Sequence, residues 1–296
     1  MASVQDYKRR IRSVTNTRKI TRAMELVAAA KLRRAQTRIE AMRPYADTMR
    51  ELIAGVGRAA SSVRGLPLLE QRATVETVLL VPLTGDRGLA GAFNAQVMRR
   101  AFALERSLQA EGATVRWLAV GKKGRSTLTF RRRTLDGEYI GFTDRPGYVN
   151  AQAIAHRAGE LFVNGDVDRV VLVYNTFVSA LTQRVTDQDV LPISADILET
   201  DEEERAADAL RGDFIFEPEP EEILARLLPV YVETQVYRAL LESTASEQGA
   251  RMTAMRNASK NAGELIDRLT LDMNRARQAE ITQEILEVVA GAEALT

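Results

Sequence analysis

Cysteine is absent from the 296 residues, and histidine occurs once, at His156. Without thiols the chain has no disulfide and no thiolate metal site. One histidine without a second His or Cys ligand does not complete a metal motif or a Ser–His–Asp triad. The many carboxylates lie in charge runs and single out no acid/base pair. We therefore expect no catalytic residue, no cofactor and no metal.

Aromatic residues are also scarce, at 5% of a chain that is 45% hydrophobic. This composition favours helices packed through Leu, Met, Ile, Val and Ala. No apolar run approaches 18 residues, so we expect no transmembrane helix.

Glycine and proline are nearly missing from both ends of the chain. Neither occurs before Pro44, and after Pro229 there is no further proline and glycine only at 249, 263 and 291. Unbroken helices there would be roughly 65 and 90 Å long at 1.5 Å per residue. Such lengths are typical of coiled coils, repeats or membrane spans. They favour an elongated rod over an active-site cleft.

Apolar residues recur at steps of three and four in both terminal segments, which predicts a helix–helix seam. The N-terminal seam is predicted at Ile20, Met24, Val27, Ala28, Lys31/Leu32, Ala35, Ile39 and Met42. The C-terminal seam is predicted at Met252, Met255, Ser259, Ala262, Ile266, Leu269, Met273 and Ala276. The simplest pairing is antiparallel, with the longer C-terminal helix extending past its partner.

Between these two segments the spacing of apolar residues no longer follows the helical period. Short β-branched runs at 75–83, 113–120 and 167–177 alternate with amphipathic stretches at 89–109 and 150–164, and 181–192 reads as a further strand. This alternation predicts a mostly parallel sheet covered by helices, a Rossmann-like α/β domain. We predict an N-terminal coiled-coil helix over 1–60, this domain over 70–200, an acidic linker over 201–229 and a C-terminal coiled-coil helix over 230–296.

The charge is uneven although the net charge is only +1. Residues 1–40 hold eleven Lys or Arg against three acids, whereas 199–204 and 217–222 are strongly acidic. This asymmetry suggests an acidic surface facing the N-terminal helix. Nucleic-acid binding is less favoured, because Tyr7 is the only aromatic residue within the basic stretch 1–40.

Two glycine-containing turns follow predicted strands. Gly85–Gly91 is either a phosphate cradle at a helix N-terminus or, more commonly for a segment that matches no phosphate-loop template, a tight turn. Gly121–Gly124 is either an anion site or a solvated strand-to-helix connection.

Three segments resemble the gamma subunit of F-type ATP synthases. Lys19–Lys31 (KITRAMELVAAAK) resembles that family's N-terminal helix motif, and Gly85–Asn94 (GDRGLAGAFN) resembles its central turn. Gly85, Ala90 and Ala92 depart from the usual Ser, Cys and Gly of that turn. The C-terminal matches are in order Glu247, Arg251, Met252, Met255, Ala258, Asn261, Ala262, Leu269, Thr270, Asn274, Arg277, Gln278, Ile281, Thr282, Glu284, Gly291 and Ala292.

The resemblance implies a rotor shaft. The paired terminal helices would turn inside a ring of alpha and beta subunits, and the α/β domain would be a foot on the epsilon subunit and the membrane c-ring. Such a subunit lies on the cytoplasmic side of a bacterial plasma membrane and couples proton flow to ATP synthesis without doing chemistry. It binds no nucleic acid and no small-molecule substrate directly.

The resemblance also implies site residues. Arg277 and Gln278 match the pair that hydrogen-bonds the catch loop of a beta subunit, and Asp86, Arg87 and Gly88 belong to the central turn. A basic shaft face would meet acidic beta-subunit segments through Arg9, Arg10, Arg12, Lys19, Arg22 and Arg33.

Two other classes of function stay open at this point. A coiled-coil adaptor with a nucleotide- or nucleic-acid-binding α/β head would need a phosphate loop or an aromatic, basic surface. A free-standing enzyme built on the α/β domain would need a catalytic set, and none can be named from the sequence.

Overall fold

A computed structural model describes residues 3–60, 65–198 and 218–293 of the chain. Its contacts divide the chain into a helical unit, Met1–Ala29 with Arg251–Thr296, and an α/β unit, Ala30–Ala250. The elements in chain order are α1 (Val4–Ala59), β1 (Thr77–Pro82), α2 (Phe93–Ala110), β2 (Thr114–Val120), α3 (Lys122–Phe130), β3 (Leu135–Tyr139), α4 (Tyr148–Val163), β4 (Arg169–Phe177), β5 (Gln183–Leu191) and α5 (Pro220–Glu293). Short 3-10 helices lie at Pro67–Leu69 and Ala195–Leu198.

Helix α1 runs for 56 residues and contains Pro44, as the sequence predicted. Gly55 and Gly57 lie inside this helix, close to its C-terminal end at Ala59. Burial of Ile53 and Val56 on the same turns outweighs the cost of about 1 kcal/mol for a helical glycine. A Cβ at Gly57 would lie 2.7 Å from Cδ2 of Leu198, so glycine permits this close packing.

Helix α5 begins at Pro220, ten residues before the predicted boundary at 230. The predicted acidic linker 201–229 is therefore helical from Pro220 onward, while its residues 201–217 lie outside the described part. Proline is well tolerated at the first position of a helix, where its missing N–H has no intrahelical partner. The internal Pro229 costs about 3 kcal/mol, which burial of the neighbouring Leu224 and Leu228 offsets.

The five strands form one sheet in the order β3-β2-β1-β4-β5. Strands β1 to β4 are parallel, with Val78 opposite Val115 and Leu80 opposite Val171. Strand β5 returns antiparallel to β4 through a tight connection. The predicted mostly parallel sheet is confirmed, and β1 and β2 are nearly continuous apolar runs because helices cover both faces of the sheet.

The sheet lies between two layers of helices. On one face α2 and α3 pack on alternate strand residues such as Leu80 and Trp117. On the other face, α4 packs together with the C-terminal part of α1 and the N-terminal part of α5, against residues such as Leu79 and Leu118. The terminal helices are therefore part of the core of the α/β unit.

Helix α3 and strand β3 were not predicted from the sequence, and α2 begins at Phe93 and not at the predicted Leu89. Helix α3 is short and contains Gly124 and two threonines, which are weak helix formers. Strand β3 is an edge strand of sequence LDGEY, so it carries almost no apolar signal.

Candidate functional site

The two terminal helices of the helical unit lie side by side and run antiparallel. Nε of Arg256 lies 3.0 Å from Oε1 of Glu25, and a Cβ placed at Gly263 would lie 3.6 Å from Cζ of Arg18. A step of seven residues toward the C-terminus of α5 thus matches a step of seven residues toward the N-terminus of α1. This is the antiparallel pairing that the two seams predicted.

The predicted seam is right on α5 and partly wrong on α1. Met255 and Ala262 of α5 are buried, and the other predicted α5 positions are at least partly covered. On α1, Ile20 and Val27 are 60% and 56% exposed and lie outside the seam. The predicted Ala28 is buried in the seam, whereas Thr21 and Glu25 take the places predicted for Ile20 and Val27.

Glu25 is the polar centre of this seam and is only 5% exposed. Its carboxylate accepts hydrogen bonds from Arg256 on α5 and, at 2.7 Å, from Arg22 on α1. Burial alone would raise the pKa of Glu25, but the hydrogen bonds from the two guanidinium groups hold it below its ordinary value. The sequence signal was an acid at seam spacing between Thr21 and Ala28, which sequence analysis did not use.

All six members of the predicted basic face are exposed. Arg9 pairs with Asp6 at 3.1 Å, and Arg22 pairs with Glu25. The other members have no ion pair among the described residues: Arg10, Arg12, Lys19 and Arg33. Arg33 belongs to the α/β unit and the other five belong to the helical unit.

Arg277 and Gln278 are exposed near the C-terminal end of α5. Nη2 of Arg277 lies 3.3 Å from Oδ1 of Asn274, one turn earlier. From residue 277 to residue 290 every side chain is exposed, including the apolar Ile285 and Val288. The longer C-terminal helix therefore leaves an uncovered end, as predicted from the unequal lengths of the two segments.

The central turn is organised by the carboxylate of Asp86. Oδ2 accepts hydrogen bonds from the backbone N–H groups of Gly141 and Thr143, at 2.9 and 3.1 Å, and from the Thr143 hydroxyl at 3.0 Å. Burial raises the pKa of Asp86, but these bonds and one from the Lys122 N–H lower it below the ordinary value. The next residue, Arg87, is exposed, and Gly88 is half-buried beside the Lys123 side chain.

Residues 84–86, at the start of the same turn, cap the N-terminus of α3. The N–H of Lys122 donates to Oδ1 of Asp86 at 3.0 Å, that of Lys123 to the carbonyl of Gly85, and that of Gly124 to the Thr84 hydroxyl. A phosphate at a helix N-terminus uses these same N–H groups. The protein's own oxygens occupy them, so the Gly121–Gly124 segment is a structural connection from β2 to α3.

Helix α5 crosses the carboxyl ends of the strands with residues 239–249, all of which are buried. The hydroxyl of Ser243 donates to the carbonyl of Leu83, directly after β1, and that of Ser246 donates to the carbonyl of Asn175, near the carboxyl end of β4. Gly85 packs closely against this helix, since a Cβ placed there would lie 2.8 Å from the Glu247 carboxylate. In open α/β sheets a cofactor binds in this crevice, and here a helix fills it.

Within residues 3–60, 65–198 and 218–293, no group of three or more His, Asp or Glu side chains is arranged to hold a metal ion. None of the helices described combines the length and apolar character that a membrane span needs.

Comparison with known proteins decides the family. The family model described as ATP synthase matches residues 3–295. The gamma chain of ATP synthase from Rubrobacter xylanophilus is 47% identical over 295 residues, covering 100% of this chain and 99% of that one. The gamma chain from Paracoccus denitrificans is 48% identical over 298 residues and covers 100% of both. The chain belongs to the ATP synthase gamma chain family.

Solved structures agree with this assignment. The central stalk of the Tetrahymena thermophila mitochondrial ATP synthase, solved with its c-ring, aligns at a TM-score of 0.59 and 30% identity, covering 81% of this chain and 99% of that one. A chain of the Euglena gracilis mitochondrial enzyme shares the fold at a TM-score of 0.69 and 18% identity, covering 99% of this chain and 94% of that one. This gamma-family chain is the central-stalk rotor subunit of an ATP synthase complex, which is associated with a membrane.

Proposed function

We propose that this chain carries torque between a proton-driven membrane c-ring and a catalytic ring of alpha and beta subunits, on the cytoplasmic side of a bacterial plasma membrane. The observation that carries the proposal is the antiparallel pair in the helical unit, which ends in an uncovered stretch of α5 from residue 277 to residue 290. The Tetrahymena central stalk was solved together with its c-ring, which supports the c-ring as a partner of the foot. The family resemblance supports epsilon as a second partner there.

The outer face of α1 has the chemistry of a surface that meets several partners in turn. Exposed Ile20, Leu26 and Val27 provide apolar contact area between the exposed cations of the basic face. A shaft shifts a beta subunit between open and closed states only if it binds those states with different affinity. An asymmetric mixture of apolar and charged side chains supplies that difference as the shaft turns.

Arg277 and Gln278 are proposed to contact the catch loop of a beta subunit. The one polar contact of the Arg277 side chain among the described residues is the 3.3 Å bond to Asn274, which is long for a guanidinium donor. That weak neutral contact is readily exchanged for a charge-assisted bond to a carboxylate. The basic face is proposed to add a weaker, salt-screened attraction to acidic beta-subunit segments. Its members are Arg9, Arg10, Arg12, Lys19, Arg22 and Arg33.

The test replaces both contact residues in the assembled complex. Arg277→Ala with Gln278→Ala is expected to lower ATP synthesis about tenfold at equal proton gradient, since one or two charge-assisted hydrogen bonds are lost. The control variant is Arg275→Ala with Gln283→Ala, which removes an exposed Arg and an exposed Gln from the same helix end. Equal synthesis rates for the double variant and the control would refute the contact.

We also propose that the chain supplies no catalytic group. Its crevice at the carboxyl ends of the strands is filled by residues 239–249 of α5, and the N–H groups at the N-terminus of α3 already donate to Asp86 and Thr84. The purified chain alone is expected to hydrolyse no ATP in a coupled phosphate-release assay. Turnover that follows the chain through two orthogonal purifications would contradict this.

A further inference from the structure

A cleft lies between α2 and α3, on the face of the sheet away from α4 and the long helices. Its volume is about 480 Å³. Four cationic side chains line it, and no carboxylate does. We call it the cationic cleft, and its lining residues are Asn94, Ala95, Met98, Arg99, Phe102, Arg106, Lys123, Thr127 and Arg131.

The cations of this cleft differ from their neighbours in having no acidic partner. Nearby arginines are paired: Arg100 with Asp187 at 2.8 Å, Arg125 with Glu138 at 3.3 Å, and Arg133 with Glu105 at 3.0 Å. Among the described residues, no carboxylate lies within 4 Å of the four cleft cations, Arg99, Arg106, Lys123 and Arg131. Four like charges around one cleft repel one another, so an anion placed there lowers the electrostatic free energy.

The floor of the cleft is apolar and rigid. Phe102 is only 7% exposed, and the guanidinium carbon of Arg131 lies 4.5 Å from the centre of its ring. Phe102 also packs against Trp117, and the centres of the two rings lie 5.6 Å apart. Stacking on Phe102 holds the Arg131 guanidinium in place, so less side-chain entropy is lost when it binds an anion.

We propose that the cationic cleft binds a chain of phosphates, either the triphosphate of a nucleotide or inorganic polyphosphate. Three arginines offer planar donor forks that match phosphate oxygens, and Lys123 adds a point charge. Four positive charges are close to the charge of a triphosphate. The small exposure of Phe102 leaves recognition to the phosphates.

The experiment titrates sodium tripolyphosphate into the full chain by isothermal calorimetry at low ionic strength. The fluorescence of Trp117, the only tryptophan, gives a second readout. We expect one site per chain, a response from Trp117 through Phe102 and Arg131, and weaker binding as salt rises. Arg99→Gln with Lys123→Gln is expected to weaken binding at least about thirtyfold, because two of four cations are removed.

The matched control is Arg100→Gln with Arg125→Gln, which removes two charges from the same helices outside the cleft. It should bind within about threefold of the unchanged chain, and circular dichroism should show that both variants fold. Titrations of ATP and adenosine separate the two sources. A tenfold preference for ATP over tripolyphosphate assigns the nucleotide, and similar affinities assign inorganic polyphosphate.

Several outcomes would overturn the proposal: no binding of either phosphate compound, unchanged binding by the Arg99/Lys123 variant, or equal losses in both double variants. Binding of adenosine as tight as ATP would do the same, because the phosphates would then be irrelevant. Tighter binding of a hexaglutamate peptide than of tripolyphosphate would also overturn the proposal, because the cleft would then be a docking site for an acidic protein segment.

Discussion

Asp86 and Gly121 show how single residues define the centre of the α/β unit. Asp86 links the start of α3 to the segment after β3 through hydrogen bonds at 2.9 to 3.1 Å. Gly121 has a φ of 86°, which L side chains rarely adopt, and a Cβ there would lie 2.1 Å from the Thr84 carbonyl oxygen. The carboxyl ends of β1 and β2 can approach this closely only with glycine at 121.

Gly121→Ala is expected to destabilise the α/β unit by at least about 3 kcal/mol, because the left-handed backbone strain and the clash with backbone add. Gly112→Ala is the control, since Gly112 has a φ of 93° but nothing within 4 Å of its added Cβ. It should cost about 1 kcal/mol, the strain alone. Urea unfolding followed by Trp117 fluorescence measures both, and equal losses would contradict the role given to the Thr84 contact.

At the scale of elements, the pairing of α1 with α5 depends on a polar contact within an otherwise apolar and small-residue seam. Glu25 accepts bonds from Arg22 and Arg256, so it joins both helices. A slip by one helical turn would leave this carboxylate without the Arg256 guanidinium. The pair thereby selects one register, as buried polar groups do in other coiled coils.

Glu25→Gln is expected to destabilise the helical unit by about 1 to 2 kcal/mol at pH 7, because two charge-assisted hydrogen bonds are weakened while Arg22 and Arg256 themselves stay exposed to water. Because folding lowers the pKa of Glu25, its carboxylate contributes its full stabilisation when the pH is above the ordinary pKa of 4.5. That contribution is lost as the pH falls through the lowered pKa of the folded protein. The variant should therefore lose this part of the acid dependence. Guanidinium unfolding followed by circular dichroism between pH 3 and pH 7 tests both points.

Glu264→Gln is the control for that measurement. Its carboxylate lies 3.8 Å from Lys260 in the same unit, but both side chains are exposed. Its effect should stay below about 0.5 kcal/mol and should not change with pH in the same range. Equal effects of the two substitutions would show that the buried position of Glu25 is unimportant.

At the scale of the whole molecule, the two units bury very different amounts of apolar surface. The α/β unit has two hydrophobic cores, one on each face of its sheet. In the described part of the helical unit, the buried residues are few: Glu25, Ala28, Arg251, Met255 and Ala262. Because burial of apolar surface is the main source of stability, the helical unit is the weaker of the two.

Two unfolding transitions are therefore expected in the isolated chain. On heating, helical circular dichroism should fall in a first step while Trp117 fluorescence stays unchanged, since Trp117 lies in a core of the α/β unit. The second step should change both signals together. A single transition with the same midpoint for both probes would contradict separate stabilities for the two units.

Local chemistry was enough to predict much of the fold. Scarcity of Gly and Pro at both ends predicted the long helices, and the change of period between them predicted the α/β unit, because these signals act within a few residues. The seam of α5 was predictable for the same reason. Helix α3, strand β3 and the start of α5 at Pro220 were not, since their propensities are weak or unfavourable and packing from elsewhere stabilises them.

The sequence by itself determined the kind of molecule: long terminal helices, a central parallel sheet, no thiol chemistry, and a family resemblance carried by both ends and the central turn. Only the tertiary structure decided that α5 fills the crevice of the sheet, that Asp86 caps α3, and that Glu25 replaces Ile20 and Val27 in the seam. It also decided that four cations from α2, α3 and the residue after α3 share one cleft. Periodicity reports which side of a helix is apolar, but contacts between distant residues depend on how the elements pack.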